Sequence, residues 1–359
     1  MSITHVQMEN LRNLKDVSFN PHEKYNFFIG PNGSGKTSLL EGVHLLGTAR
    51  SFRTKNNRKL IGYAHQALFL KAKIEDLHTV GLHKEETGLT SIKINQKIQR
   101  SNTELARLLP LQLYSQDAFK LIDASPKIRR NILDWGVFHV EPLYFKCWHQ
   151  YQKALKQRNC LLRTSQAKQG VAPWDHLLCQ SAEEIHAMRQ RYMAQWLPLF
   201  FETFSELSDL EIDIQYYKGW GQSGEAVSSL EACLHKDWEQ DLRRQYTRSG
   251  PHQADLILTS GKKHVKEFFS RGQQKLILVA IKIAQGVFLS RLKNKDCVFL
   301  FDDLASEFDS DNVIRIAQYL NKIPGQYFFT CVNEEEIALL QGHLSGQVFQ
   351  VNEGRVGVL

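Results

Sequence analysis

Gly30-Pro31-Asn32-Gly33-Ser34-Gly35-Lys36-Thr37 follows directly on the apolar run Tyr25-Asn26-Phe27-Phe28-Ile29. The order is G-x-x-x-x-G-K-T, and its flanks give it meaning. The run before it is short and reads as a buried strand. Behind it Leu39, Leu40, Val43 and Leu46 recur at helical spacing as far as Gly47. The eight residues therefore form a loop between a strand and a helix N-terminus. Its glycines let backbone N–H groups curl around an anion without Cβ clashes, and the helix dipole adds positive potential at the same point. Lys36 suits the β- and γ-phosphate oxygens of a nucleotide, and the Thr37 hydroxyl suits Mg²⁺. A chance glycine-rich turn is the competing reading, and a strand before the loop with a helix after it argues against one.

Further along, Asp296 leads into Cys297-Val298-Phe299-Leu300-Phe301 and then Asp302-Asp303. A continuous apolar run that delivers acids at its end is the pattern of a parallel strand buried on both faces. In a phosphate-loop ATPase such a strand places Asp302 on Mg²⁺ through water and Asp303 beside the attacking water. Most of the chain separates Lys36 from Asp302, so a large segment is inserted between two halves of one ATPase.

Between the two motifs, Ser270-Arg271-Gly272-Gln273-Gln274 opens the apolar stretch from Leu276 to Ala284. It is similar to the L-S-G-G-Q signature of ABC-type ATPases, with Phe269 and Arg271 in place of Leu and the first Gly. A Ser at a helix N-cap beside Gly makes a second anion-binding helix end, with Ser270, Gly272 and Gln273 as its candidate contacts. Gln116, after the extended Leu111-Gln112-Leu113-Tyr114, fits the Q-loop, and Thr330 stands where transporter ATPases place His. The expected catalytic set is Lys36, Asp303 and Gln116.

With these motifs in order, the chain resembles the RecF family of bacterial DNA-repair ATPases, relatives of the SMC and Rad50 heads. Beyond the ATPase motifs, the residues that carry the resemblance are Leu11-Arg12-Asn13-Leu14, Ala49-Arg50-Ser51-Phe52-Arg53, Ser125 to Gly136, Ala154 to Asn159, and Ser249-Gly250-Pro251-His252 with Asp255-Leu256. The resemblance implies an α/β fold, an ABC/SMC-head-like P-loop ATPase with an inserted, mainly helical arm. It implies ATP and Mg²⁺ as cofactors, an ATP-dependent homodimer, and binding to double- and single-stranded DNA at gaps and junctions. It further implies loading of the RecA recombinase with the mediators RecO and RecR.

The organisation agrees. Residues 1–118 and 248–359 carry every nucleotide motif and read as strands alternating with helices, while 119–247 read as the arm. From Leu143 to Trp174 the arm holds Lys146, Lys153, Lys156, Arg158, Arg163 and Lys168 with no acid, and its helical pattern breaks around Gly170 and Pro173 before resuming from His176 to Leu197. A second acid-free run, Arg50, Arg53, Lys55, Arg58 and Lys59, resembles the family's DNA surface. Phosphate contacts by such side chains give sequence-independent affinity.

Composition closes off other classes. The 359 residues are 42% hydrophobic and 23% charged, an ordinary globular balance, and a net charge of +7 leans toward polyanionic partners. Six widely spaced cysteines without Cys-x-x-Cys argue against disulfides or a zinc ribbon and read as small core residues. No apolar stretch approaches the roughly 18 residues of a membrane span, and no signal peptide precedes Val6, so the expected location is cytoplasmic with no membrane partner. The alternative assignment is the ATPase subunit of an ABC transporter, which the altered signature, Thr330 and the basic runs disfavour.

Overall fold

The computed structural model describes residues 2–115, 126–164, 167–221, 229–261 and 263–359. Its contacts divide the chain into two compact units, one of Met1–Phe119, Thr203–Ser208 and Lys275–Leu359, the other of Lys120–Glu202 and Asp209–Gln274.

The first unit holds two six-stranded sheets. Its early strands are β1 (Ile3–Glu9), β2 (Val17–Phe19), β3 (Tyr25–Ile29), β4 (Ala67–Ile74), β5 (His78–Glu85), β6 (Thr90–Ile94), β7 (Lys97–Gln99) and β8 (Leu111–Tyr114). The second unit contributes β9 (Asp213–Tyr217), β10 (Asp255–Ser260) and β11 (Lys263–His264). The first unit then resumes with β12 (Val298–Phe301), β13 (Gln326–Cys331), β14 (Gln347–Asn352) and β15 (Arg355–Val358).

One sheet, ordered β2-β1-β4-β5-β6-β7, is antiparallel throughout. Strand–helix alternation, expected for this part of the sequence, gives way to four successive strands from Ala67 to Gln99. The reason is turn chemistry: Glu75, Asp76, Asn95 and Gln96 all take positive φ, the conformation that closes tight hairpins.

The other sheet, β15-β14-β3-β13-β12-β8, is parallel except for its edge strand β15. β12 and β13 are buried at every position, as a strand covered on both faces must be. Phe27, Phe329 and Phe301 stack across three strands with ring centroids 5.4 and 5.1 Å apart. That ladder aligns the C-terminal ends of β3, β13 and β12 at one edge. The helix Lys36–Thr48 shares a single apolar core with both sheets, Leu39, Leu40 and Val43 meeting Val6, Met8, Leu70, Phe28 and Leu300 in one cluster.

The second unit is built on the helices Pro126–Val140, Tyr144–Leu161, Ala172–Leu207 as far as Glu202, and Leu230–Arg244, with the small sheet β11-β10-β9. β10 pairs with β9 from Asp255↔Tyr217 to Thr259↔Asp213 within the second unit, which runs to Gln274, whereas the sequence places 248–359 in the head. Pro173 sits in the first turn of its helix, where a missing N–H costs nothing. The helix then continues past Leu197 with Pro198 inside it. Arg158 is not a member of a solvent-facing basic stripe: it is fully buried and donates to Asp175, Asp241 and Thr247 at 2.6, 2.7 and 2.8 Å. All six cysteines are free, and Cys160 is exposed rather than part of a core.

Candidate functional site

β3 ends at Ile29, and the loop that follows reaches the helix Lys36–Thr48 through two left-handed glycines, Gly33 at φ 81° and Gly35 at φ 117°. Gly30 is required for another reason, since a Cβ there would lie 2.1 Å from the Val351 carbonyl oxygen. Asn13 latches the loop, its Nδ2 donating to Gly33 O (3.0 Å) while its Oδ1 accepts from Ser38 Oγ (3.0 Å). The Lys36 ammonium is buried and donates to the carbonyls of Gly30 (2.6 Å) and Pro31 (3.1 Å), two loop oxygens that a phosphate would replace. A cleft of about 360 Å³ opens here, lined among others by Arg12, Asn13, Asn32, Lys36, Arg53 and Asp303.

Across the cleft, β12 delivers Asp302 to the loop. Thr37 Oγ1 donates to Asp302 Oδ1 at 3.1 Å, and Thr330 Oγ1 lies 3.0 Å from the same oxygen and 3.2 Å from Asp303 Oδ1. The Asp303 N–H in turn donates to Thr330 Oγ1 at 2.8 Å. Asp303 stands at φ 53°, a left-handed conformation uncommon outside glycine and asparagine. Burial, and then the neighbouring Asp303, push the Asp302 carboxyl up to about 6. A desolvated carboxylate beside a hydroxyl and a second acid is the donor set that a divalent cation suits. Among the described residues no group of three or more His, Cys, Asp or Glu forms a metal cage, so the remaining ligands of a Mg²⁺ ion would be phosphate oxygens and water.

Glu41 goes unmarked in the sequence, and Arg12 is marked there only by the family resemblance. Glu41 is fully buried on the loop's own helix, where it pairs with Arg12, accepts from Ser51 and lies 3.9 Å from Arg53. An acid on an otherwise apolar helix face was the available signal, because a buried carboxylate needs partners.

The match to known proteins is end to end. The family model for the RecF/RecN/SMC N terminal domain covers residues 2–355. The DNA replication and repair protein RecF of Pseudomonas savastanoi pv. phaseolicola is 39% identical, over 99% of this chain and 98% of its own, and that of Pseudomonas fluorescens SBW25 is 40% identical over the same shares. The chain belongs to the RecF family. A solved structure of the recombination mediator protein RecF with ATP, from the RecFOR pathway, superimposes with a TM-score of 0.87 at 24% identity, covering 100% of this chain and 97% of that one. An Smc head bound to the C-winged helix domain of ScpA gives 0.59 at 15% identity, over 100% and 97%. The fold is thus that of RecF and of SMC heads.

Gln116 lies outside the described residues. Ser270, Gly272 and Gln273 belong to the second unit, where Ser270 and Gln273 cap each other: Ser270 N–H donates to Gln273 Oε1 (2.8 Å) and Gln273 N–H to Ser270 Oγ (3.3 Å). A Cβ on Gly272 would meet nothing nearer than 4.0 Å, so internal packing does not demand glycine there. Within the basic run, Arg53 lines the cleft beside the loop and Arg58 pairs with Glu86 at 2.6 Å. Arg50, Lys55 and Lys59 are exposed. Among the described residues no helix is long and apolar enough to cross a membrane.

Proposed function

We propose that this RecF-family chain is an ATP-switched DNA-binding protein of recombinational repair and replication-fork maintenance, a slow ATPase of the cytoplasm. ATP with Mg²⁺ occupies the cleft between Gly30 to Thr37 and Asp302-Asp303. Lys36 exchanges its two loop carbonyls for phosphate oxygens, Thr37 and Asp302 hold the metal, and Asp303 orients the attacking water. The observation that carries this is the convergence of Thr37, Asp302, Asp303 and Thr330 within hydrogen-bonding reach, since phosphoryl transfer depends on positioning and charge stabilisation more than on covalent chemistry.

Binding of ATP drives dimerisation, with the Ser270 to Gln273 helix end of one subunit meeting the γ-phosphate held by the other. The open space around Gly272 favours that close approach. The dimer clamps DNA at gaps and single-strand/double-strand junctions, hydrolysis releases it, and with RecO and RecR it promotes RecA loading. Within the exposed basic run, Arg50, Lys55 and Lys59 supply backbone contacts.

The test is DNA affinity with and without a non-hydrolysable ATP analogue across a salt series. Affinity should depend on the analogue and fall steeply with salt, and replacing Arg50, Lys55 and Lys59 with Ala should flatten the log–log slope by up to about 3. Affinity indifferent to nucleotide would refute the switch, and an unchanged slope would move the DNA contact elsewhere.

A further inference from the structure

In the second unit, β9 and the helix Leu230–Arg244 contribute to the walls of a cavity of about 510 Å³ lined among others by Trp220, Lys236, Asp237, Arg248 and Ser249. Its described lining brings together three nitrogen donors, Trp220, Lys236 and Arg248. Trp220 is 1% exposed, yet its indole N–H meets no acceptor, and Arg248 Nη1 is likewise out of solvent without one. Lys236 is exposed at the rim. The one carboxylate among the described lining residues, Asp237, already accepts the Ser249 hydroxyl at 2.6 Å. Among the described residues no acid pairs with the Arg248 guanidinium.

Leaving a buried donor without an acceptor costs on the order of 1–3 kcal/mol, and more for a charged one. The surrounding backbone is nonetheless held firmly. Gly250 N–H donates to Gly219 O at 3.0 Å, a Cβ on Gly219 would lie 2.2 Å from Gly250 O, and Arg248 N–H donates to Asp241 Oδ1 at 3.1 Å. Two adjoining loops are thereby fixed around a pocket lined in part by Trp220, Arg248 and Lys236. Ser249-Gly250-Pro251-His252, which the nucleotide chemistry leaves unexplained, forms part of this frame.

We propose that the cavity is an anion site that takes a phosphate group, Arg248 and Trp220 donating to its oxygens and Lys236 closing over it. A guanidinium with additional N–H donors matches phosphate in both charge and donor geometry. The group is either a free phosphate or a backbone phosphate of DNA, and only the second rests on the DNA-binding reading.

With a non-hydrolysable ATP analogue filling the Lys36 cleft, inorganic phosphate is titrated against indole fluorescence and melting temperature. DNA affinity is measured in parallel across a salt series. Wild type is compared with Arg248→Gln, Trp220→Phe and Lys236→Ala; Lys236 is exposed, so its replacement leaves the fold intact even where Arg248→Gln does not. A saturable phosphate response that weakens at least tenfold in the variants supports a free-phosphate site. Absence of that response, with a salt slope shallower by about 1 in the variants and ATP-dependent DNA binding retained, supports a backbone contact. Variants that match wild type in both assays overturn the site. Wild type that ignores DNA refutes the DNA reading alone, because the phosphate titration still decides the cavity.

Discussion

In the proposed mechanism turnover rests on Asp303. Its left-handed φ of 53° is one that asparagine accepts readily, so Asp303→Asn keeps the local fold while removing the carboxylate. Loss of a positioned proton acceptor typically costs 10²–10⁴-fold. Single-turnover hydrolysis by Asp303→Asn should fall by roughly that factor while nucleotide binding persists, and the complex on DNA should outlive that of wild type. Normal hydrolysis would remove Asp303 from the water-positioning role. Thr330 makes a second residue-level case, because its hydroxyl receives the Asp303 N–H and reaches both carboxylates. Thr330→Val keeps shape and removes that junction, so kcat should drop about tenfold or more, the equivalent of about 1.4 kcal/mol in the barrier. Thr330→Ser should restore most of it, and equal rates for Ser and Val would show that Thr330 serves packing only.

Among the elements, the loop before β10 carries a proton-linked weakness. His252 donates from Nε2 to Thr247 O (3.0 Å) and accepts at Nδ1 from Tyr151 Oη (2.5 Å), an arrangement that requires the neutral ring. Burial lowers its proton affinity to about 4, opposed by the bond to Thr247 and reinforced by Arg130, Arg158 and Arg189. The folded state therefore resists protonation that the unfolded chain accepts near 6.5. Stability is complete above that value and is lost as pH falls toward 4, by about 1–3 kcal/mol from this one ring. His252→Gln can make the same two bonds without titrating. Denaturant unfolding between pH 6.5 and 4 should give a flatter stability profile in the variant, and parallel profiles would show that His252 is not linked to acid unfolding. His44 and His186, each also lowered to about 4 chiefly by burial, keep their contributions in both proteins.

At the scale of the whole molecule, the proposed function joins the helix ends at Lys36 and Ser270. Lys36 and Ser270 belong to different compact units of one chain, and a composite pocket assembled from two chains is the arrangement proposed above. Mixing a Lys36→Met chain with a Ser270→Arg chain should then recover part of the hydrolysis that each lacks alone, because the heterodimer keeps one intact pocket. The assay is ATPase rate against mixing ratio, with light scattering to confirm ATP-dependent dimers. Dimers that form without any recovery would argue against a shared pocket.

The sequence by itself determined the phosphate loop, the acid-bearing strand and the family. Each rests on residues adjacent in the chain, whose backbone demands and periodicity are local: glycines at Gly33 and Gly35 for left-handed turns, an unbroken apolar run from Cys297 to Phe301, a Ser and Gln three apart that cap one helix. What only the tertiary structure decided depends on partners far apart in sequence. Arg158 reads as one more charge on a basic helix until Asp175 and Asp241 are brought against it. Arg53 reads as one more charge in a basic run until Glu41 and the loop cleft are found beside it, and Thr330 reads as a missing histidine until β13 aligns it with both aspartates. The unit boundary at Lys275 is of the same kind, because no local pattern reveals that β10 hydrogen-bonds back to β9. A window of sequence carries the charge, but burial and pairing fix what that charge does.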